Sequence, residues 1–187
     1  MNTLVFRLTG LAAVCGLLLG LANLATSAQI KANRQAFAER QLLEVTGHKG
    51  KIRKIDDERY LLLDAGQPRG FVFGVETNQG YNGRISLWLG VEINASNPSK
   101  ASILGVRVRS HQETPGLGDR IELAVSDWIL AFNGHQSANG THWDVRKFGG
   151  DFDQFTGATI TPRAVVHAVR DGLVRYEQQK DEWRNEL

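Results

Sequence analysis

From Leu8 to Ile30 the chain carries no charged residue, and the run is rich in Leu, Ala and Gly. No other feature constrains the fold as strongly, because an apolar segment of this length is long enough to cross a bilayer core as one helix. A cleaved leader is the competing reading. Arg7 supplies a basic flank, and Ala25-Thr26-Ser27-Ala28 ends in small residues as a cleavage site does. A lipoprotein reading through Ala12-Ala13-Val14-Cys15 is weaker, since Val precedes the cysteine where a small residue is expected. The run exceeds an ordinary signal core, so an anchor is expected, with residues 1–30 as a short tip and a transmembrane helix.

Residues 31–45 contain Ala, Glu, Gln, Arg and Leu without Pro or Gly, which predicts that the helix continues as a stalk to about residue 50. Gly47 and Gly50 interrupt it. What remains, residues 51–187, has the size of one ordinary domain with a real core. Of the 187 residues, 22 are basic and 20 acidic. Residues 1–50 hold five basic and two acidic ones, leaving 17 and 18 in the remainder. The domain is therefore nearly neutral, with no basic patch, and composition gives no case for nucleic acid. Cys15 is the sole cysteine, so no intrachain disulfide can form. No Cys/His cluster has zinc or iron–sulfur spacing, and no metal site is expected.

Along the domain, Tyr60–Leu63 reads as a short strand, and Gly66–Gly74 as turn residues around Phe71-Val72-Phe73. Ile85–Val91 and Ile103–Val108 read as two further strands joined by a turn at Asn94–Ser99. Asp119–Phe132 has mainly helical spacing, with Asp119 as a plausible N-cap. Asn133–Gly140 reads as a loop. A terminal helix is expected from Pro162 to about Arg184, with a stripe of Ala164, Val165, Ala168, Val169 and Val174, although Gly172 weakens its middle. Strands followed by helices without regular alternation predict an α+β fold.

Two segments point to chemistry. The first is Asp153-Gln154-Phe155-Thr156-Gly157-Ala158-Thr159, followed by Ile160-Thr161-Pro162. Thr161 suits an N-cap and Pro162 the first helical turn, so free amides there would favour an anion, with the Thr159 hydroxyl alongside. A hydroxyl that merely decorates a turn is the plainer reading. The second is His111-Gln112-Glu113-Thr114-Pro115-Gly116-Leu117-Gly118, whose Pro–Gly pair predicts a tight turn. A lone His at a strand end is usually structural. Trp143 and Phe155 are candidate ring contacts but more often core. Arg146 and Lys147 are candidate phosphate partners or a solvated loop pair.

The first segment resembles the motif at which flavin transferases attach FMN to protein, and the second resembles the other hallmark of the same FMN-binding domain family. Both motifs behind a membrane segment resemble the G subunits of Rnf/Rsx ion-translocating electron-transport complexes. The C subunit of the sodium-pumping NADH:quinone reductase shares both motifs and is the nearest alternative; a flavin-free exported binding module is the alternative of another class. The resemblance implies FMN linked covalently through phosphate to Thr159. It also implies a flavinylation motif of Asp153, Thr156, Gly157, Ala158 and Thr159. Glu113, Thr114, Gly116, Leu117, Gly118, Thr156, Gly157, Ala158 and Thr161 are then the expected cofactor contacts, Glu113 and Thr114 toward the ring's polar edge and Leu117 toward its face. No residue is expected to be catalytic; flavin does the redox chemistry within a complex. Expected partners are the other complex subunits, a flavin transferase and the membrane. The resemblance places the domain in the periplasm of a cell with the helix in its inner membrane. The flanking charges, Arg7 and the amino terminus against Lys31, Arg34 and Arg40, point the other way.

Overall fold

The computed structural model describes residues 2–47, 50–93, 101–136 and 140–185. The expected turn at Asn94–Ser99 lies outside them. The chain divides into two compact units, Met1–Arg40 and Gln41–Leu187. The first consists of most of helix α1, Asn2–Thr46. Within it, Arg7–Ser27 has a mean hydropathy of 2.0, none of it buried by protein, and is long and apolar enough to cross a membrane.

The second unit is built on a five-stranded antiparallel sheet whose spatial order follows the chain: β1 (Lys51–Lys54), β2 (Arg59–Asp64), β3 (Gln67–Gly80), β4 (Gly83–Glu92) and β5 (Ser102–Ser110). Side chains alternate along each strand. Phe71, Phe73 and Val75 of β3 therefore share a face, and their partners Val91, Leu89 and Leu87 of β4 lie beside them on it. Helix α2 (Ile160–Asn185) covers that face. Its Tyr176 stacks on Phe73 at 6.1 Å, and its Trp183 meets Phe73 edge-on at 4.9 Å. Burial of each such aromatic contributes about 1.5–3 kcal/mol. Gly172 sits where α2 comes closest to the sheet. A Cβ there would lie 2.8 Å from Val75 and 2.9 Å from Leu89, so the residue that weakens helix propensity is what lets the helix dock.

The opposite face carries Val72 and Trp88, and the last turn of α1 closes over them with Leu42 and Val45, both buried. Two glycines paired across β4 and β5, Gly90 and Gly105, make room. A Cβ on Gly105 would stand 2.0 Å from the Val45 carbonyl oxygen. Arg107 donates to the Glu44 carbonyl at 3.0 Å, placing a cation at the negative end of α1.

Three expectations need correction. Phe71-Val72-Phe73 is the buried middle of the longest strand, because its neighbouring glycines serve close approach and not a turn: a Cβ on Gly70 would meet the Val91 carbonyl oxygen at 2.3 Å. Asp119–Phe132 forms two short 3-10 turns, Asp119–Ile121 and Trp128–Phe132, and no α-helix; Gly118 precedes the first, and Asp119 caps nothing. Only Ile121, Ile129 and Phe132 of that segment are fully buried, with Trp128 packed partly against the core, and they form no continuous helical stripe. In α2, Val174 is exposed, and Leu173, Tyr176 and Trp183 complete the buried stripe.

Candidate functional site

Both motifs fold into tight turns of one kind. In Thr114-Pro115-Gly116-Leu117, the Leu117 amide donates to the Thr114 carbonyl at 3.1 Å, and Gly116 has φ +78°. In Phe155-Thr156-Gly157-Ala158, the Ala158 amide donates to the Phe155 carbonyl at 3.1 Å, and Gly157 has φ +83°. A glycine with positive φ at the third position is the signature of a type II turn, where a side chain would strain the backbone. The two turns face each other: a Cβ on Gly157 would lie 3.6 Å from Leu117 Cδ2.

Glu113 fixes the first turn. It is 4% exposed, and its carboxylate accepts hydrogen bonds from the Asn82 amide at 2.9 Å, the Tyr81 amide at 3.2 Å and the Thr161 hydroxyl. The carboxylate expected at the ring's polar edge is thus first a buried structural anchor. Gly118 closes against it, since a Cβ there would come within 2.8 Å of Glu113 Cβ. Thr114 accepts from Asn82 Nδ2 at 3.1 Å. His111, read as structural, accepts from the Glu113 amide at 3.0 Å and lies 2.5 Å from Glu122 Oε1. The sequence reading missed Asn82 and Tyr81, which the β3–β4 hairpin tip brings here; the tip's small residues gave only a turn signal.

The helix start lies earlier than expected. Helix α2 begins at Ile160, and the Thr159 carbonyl accepts from the Arg163 amide at 3.3 Å. Thr159, not Thr161, therefore occupies the N-cap position, and Pro162 is the third helical residue, where its missing N–H is still unneeded. The hydroxyls of the segment differ sharply. Thr161 is buried at 1% exposure and engaged by Glu113. Thr156 is exposed on its turn. The Thr159 hydroxyl makes no hydrogen bond to another described residue, and it is half-buried between two clefts.

One cleft, about 390 Å³, lies between the turns and is lined by Glu113, Thr114, Leu117, Gly118, Gly157, Ala158 and Thr161, with Tyr81 and Ile160 at its rim. Gly116 and Thr156 lie on the flanking turns and do not line it. The other cleft, about 370 Å³, holds Lys147, Phe148, Arg163 and His167. Thr159 borders both.

The remaining candidates fall outside the clefts. Asp153 is exposed and pairs with Arg146 at 3.1 Å, while its carbonyl accepts from Trp128 Nε1 at 2.7 Å. Phe155 is buried against Trp128, and Trp143 stacks on Phe152 at 5.4 Å, so both belong to packing. Among the described residues no group of three His, Cys, Asp or Glu is placed to hold a metal.

The size of the first cleft suits a planar ring system, and its lining of apolar edges with a few main-chain and hydroxyl groups suits a ring with a polar rim. A half-buried free hydroxyl at a helix N-cap suits a phosphate at its other end. Comparison with known proteins identifies a family. The model of the FMN-binding domain family matches residues 80–174. The G subunit of the ion-translocating oxidoreductase complex of Vibrio cholerae serotype O1 is 48% identical over 129 residues, covering 68% of this chain and 59% of the relative. The proteins of the same description from Vibrio parahaemolyticus serotype O3:K6 and Vibrio atlanticus are 49% and 50% identical over 125 residues, 66% of this chain and 56% of each relative. The aligned part thus spans less than two thirds of these relatives' own length.

Proposed function

Because this chain belongs to the FMN-binding domain family, we propose that it is a membrane-anchored FMN electron carrier, with the flavin joined through its phosphate to the Thr159 hydroxyl. The observation that carries this reading is the position of Thr159: the one hydroxyl of its segment that borders both clefts, free of any partner among the described residues. When bound, FMN supplies the redox chemistry, and the protein supplies position and electrostatics. Leu117 and Tyr81 offer apolar contact, and Thr114 a polar one. Glu113 ties the turn that presents Leu117 and Thr114 to the hairpin tip that presents Tyr81. At the start of α2, the amides of Ile160 and Thr161 have no helical acceptor and favour negative charge beside Thr159. Gly157 and Ala158 keep the approach to that oxygen clear of larger side chains.

The relatives are G subunits of an ion-translocating oxidoreductase complex. By analogy this chain works among the other subunits of an Rnf/Rsx-type complex, after modification by a separate flavin transferase. Its layout would be a membrane helix in residues 1–30, a stalk in 31–50 and the FMN domain in 51–187. The domain would face the periplasm from the inner membrane.

The test is expression in cells with and without an active flavin transferase, followed by denaturation in SDS and detection of flavin fluorescence in the protein band. A fluorescent band that depends on the transferase is expected. A dark band in both cells would reject covalent flavin.

A further inference from the structure

Arg146 and Lys147 are neighbours in sequence, yet they serve different places. They lie on a short 3-10 turn, Arg146–Phe148. Arg146 turns outward to Asp153, and Lys147 lines the second cleft together with Thr159. The turn is held firmly. The Arg146 amide donates to the Phe152 carbonyl at 2.7 Å, and the Gly150 amide to the Val145 carbonyl at 3.1 Å. A Cβ on Gly150 would overlap the Asp144 backbone at 1.8 Å, so the loop cannot fold this way with another residue there. The Lys147 amide donates to Gln154 Oε1 at 3.2 Å, which ties the lysine to the segment carrying Thr159.

Three basic side chains line this cleft, and two are already engaged. Asp144 accepts from Arg163 at 2.9 Å and lies 3.5 Å from His167 Nε2. The Lys147 ammonium has no carboxylate partner among the described residues and stands 5.9 Å from the centre of the Phe148 ring. The first cleft contains no basic residue, and its one carboxylate, Glu113, is buried and taken up by the Tyr81 and Asn82 amides and the Thr161 hydroxyl. A cofactor joined at Thr159 has an uncharged ring and a charged phosphate, and the two clefts that meet at Thr159 differ in the same sense.

We propose that Lys147 binds the linking phosphate, with the ring on the Leu117 side of Thr159 and the phosphate on the Lys147 side. This rests on the reading of Thr159 as the attachment point. Lysine suits the task as a compact charge on a long stem, which can follow a phosphate as it arrives. A charge-assisted contact in a half-open cleft should change attachment about 3- to 10-fold.

The experiment uses full-length protein purified from cells with limiting flavin transferase, as wild type, Lys147→Gln and Lys147→Arg. Intact mass gives the fraction carrying FMN, and phosphorus NMR of the purified flavinylated protein reads the phosphate after the transferase is gone. Expected for Lys147→Gln is a fall in the flavinylated fraction of about 3- to 10-fold and a displaced phosphorus resonance. Lys147→Arg should restore both toward wild type. Lys147 is exposed, so neither change disturbs the core. A Lys147→Gln protein with wild-type flavin content and an unmoved resonance overturns the assignment of Lys147 while leaving Thr159 intact. Wild-type protein without any adduct overturns both.

Discussion

The Thr161 hydroxyl donates a hydrogen bond to the Glu113 carboxylate, across 48 positions of chain. One side chain belongs to the start of α2 behind Thr159, and the other to the turn that carries Leu117. The bond therefore clamps the two walls of the first cleft at its buried end, where neither partner is more than 4% exposed. The cleft's width is set by this pair and not by the turns alone.

Glu113→Ala should be among the most damaging single changes outside the apolar core. It leaves two amides and a buried hydroxyl without an acceptor, a cost of about 2–4 kcal/mol. Glu113→Gln keeps an acceptor oxygen and should cost less. Urea denaturation of the detergent-solubilised protein checks the order. Equal stability of Glu113→Ala and wild type would show that the clamp contributes nothing. A Glu113→Ala/Thr161→Val double mutant should be less damaged than the sum of the two single changes, because they share one bond.

Gly105→Ala forces a methyl group toward the Val45 carbonyl oxygen, 2.0 Å from the ideal Cβ position. The last turn of α1 must then lift from the sheet. A loss of about 1–3 kcal/mol is expected. Trp88, packed beneath Leu42 and Val45, should report the opening as a red-shifted fluorescence contribution. A fully stable Gly105→Ala protein with wild-type fluorescence would mean that this contact is loose.

Acid should weaken the loop that carries Lys147. The hydrogen bond from Arg163 holds the Asp144 carboxyl below the usual carboxylate range. A depressed folded-state pKa contributes stability above the unfolded value, near 3.9, and loses it as pH falls through the lower folded value. Asp144→Asn should therefore lower Tm at pH 7, and the gap to wild type should narrow as pH falls toward 3. Thermal melts across that range decide it; a gap that stays constant with pH would show that the ionised pair is not its source.

The sequence showed the two turns, the apolar helix and three of the five strands, because Pro–Gly and Thr-Gly-Ala signals, long charge-free runs and period-2 alternation are local properties. It concealed β3 because Gly70 and Gly74 resemble turn punctuation. Their purpose depends on Val91 and Glu58, which are distant in sequence. It concealed β1 because Lys51–Lys54 is short, polar and at the sheet edge, so it carries no apolar pattern. Asp119–Phe132 was misread since scattered Ile and Trp positions mimic helical spacing when the segment winds over the core in 3-10 turns. Within the site, Thr159 could be read locally only as a candidate hydroxyl beside a helix start, whereas the separation of Arg146 from Lys147 depends on a turn that no local pattern announces.

Residues 8–30 should remain in the mature protein as a membrane helix. N-terminal sequencing of membrane-extracted material is expected to begin upstream of Leu8. Protease added to spheroplasts should digest the domain without lysis. A mature start near Gln29 with release into the soluble fraction would exclude the anchor, and protection of the domain until lysis would place it on the cytoplasmic side.

The most direct measurement is peptide mass spectrometry of protein made in cells with an active flavin transferase. The account predicts an FMN phosphoester on Thr159. Thr159→Ala should lose it while keeping the fold, because the change removes only the free hydroxyl and a methyl group. Thr159→Ser should retain part of it. An adduct on Thr156 or Thr161, or an unmodified Thr159 in the presence of active transferase, would contradict the assignment.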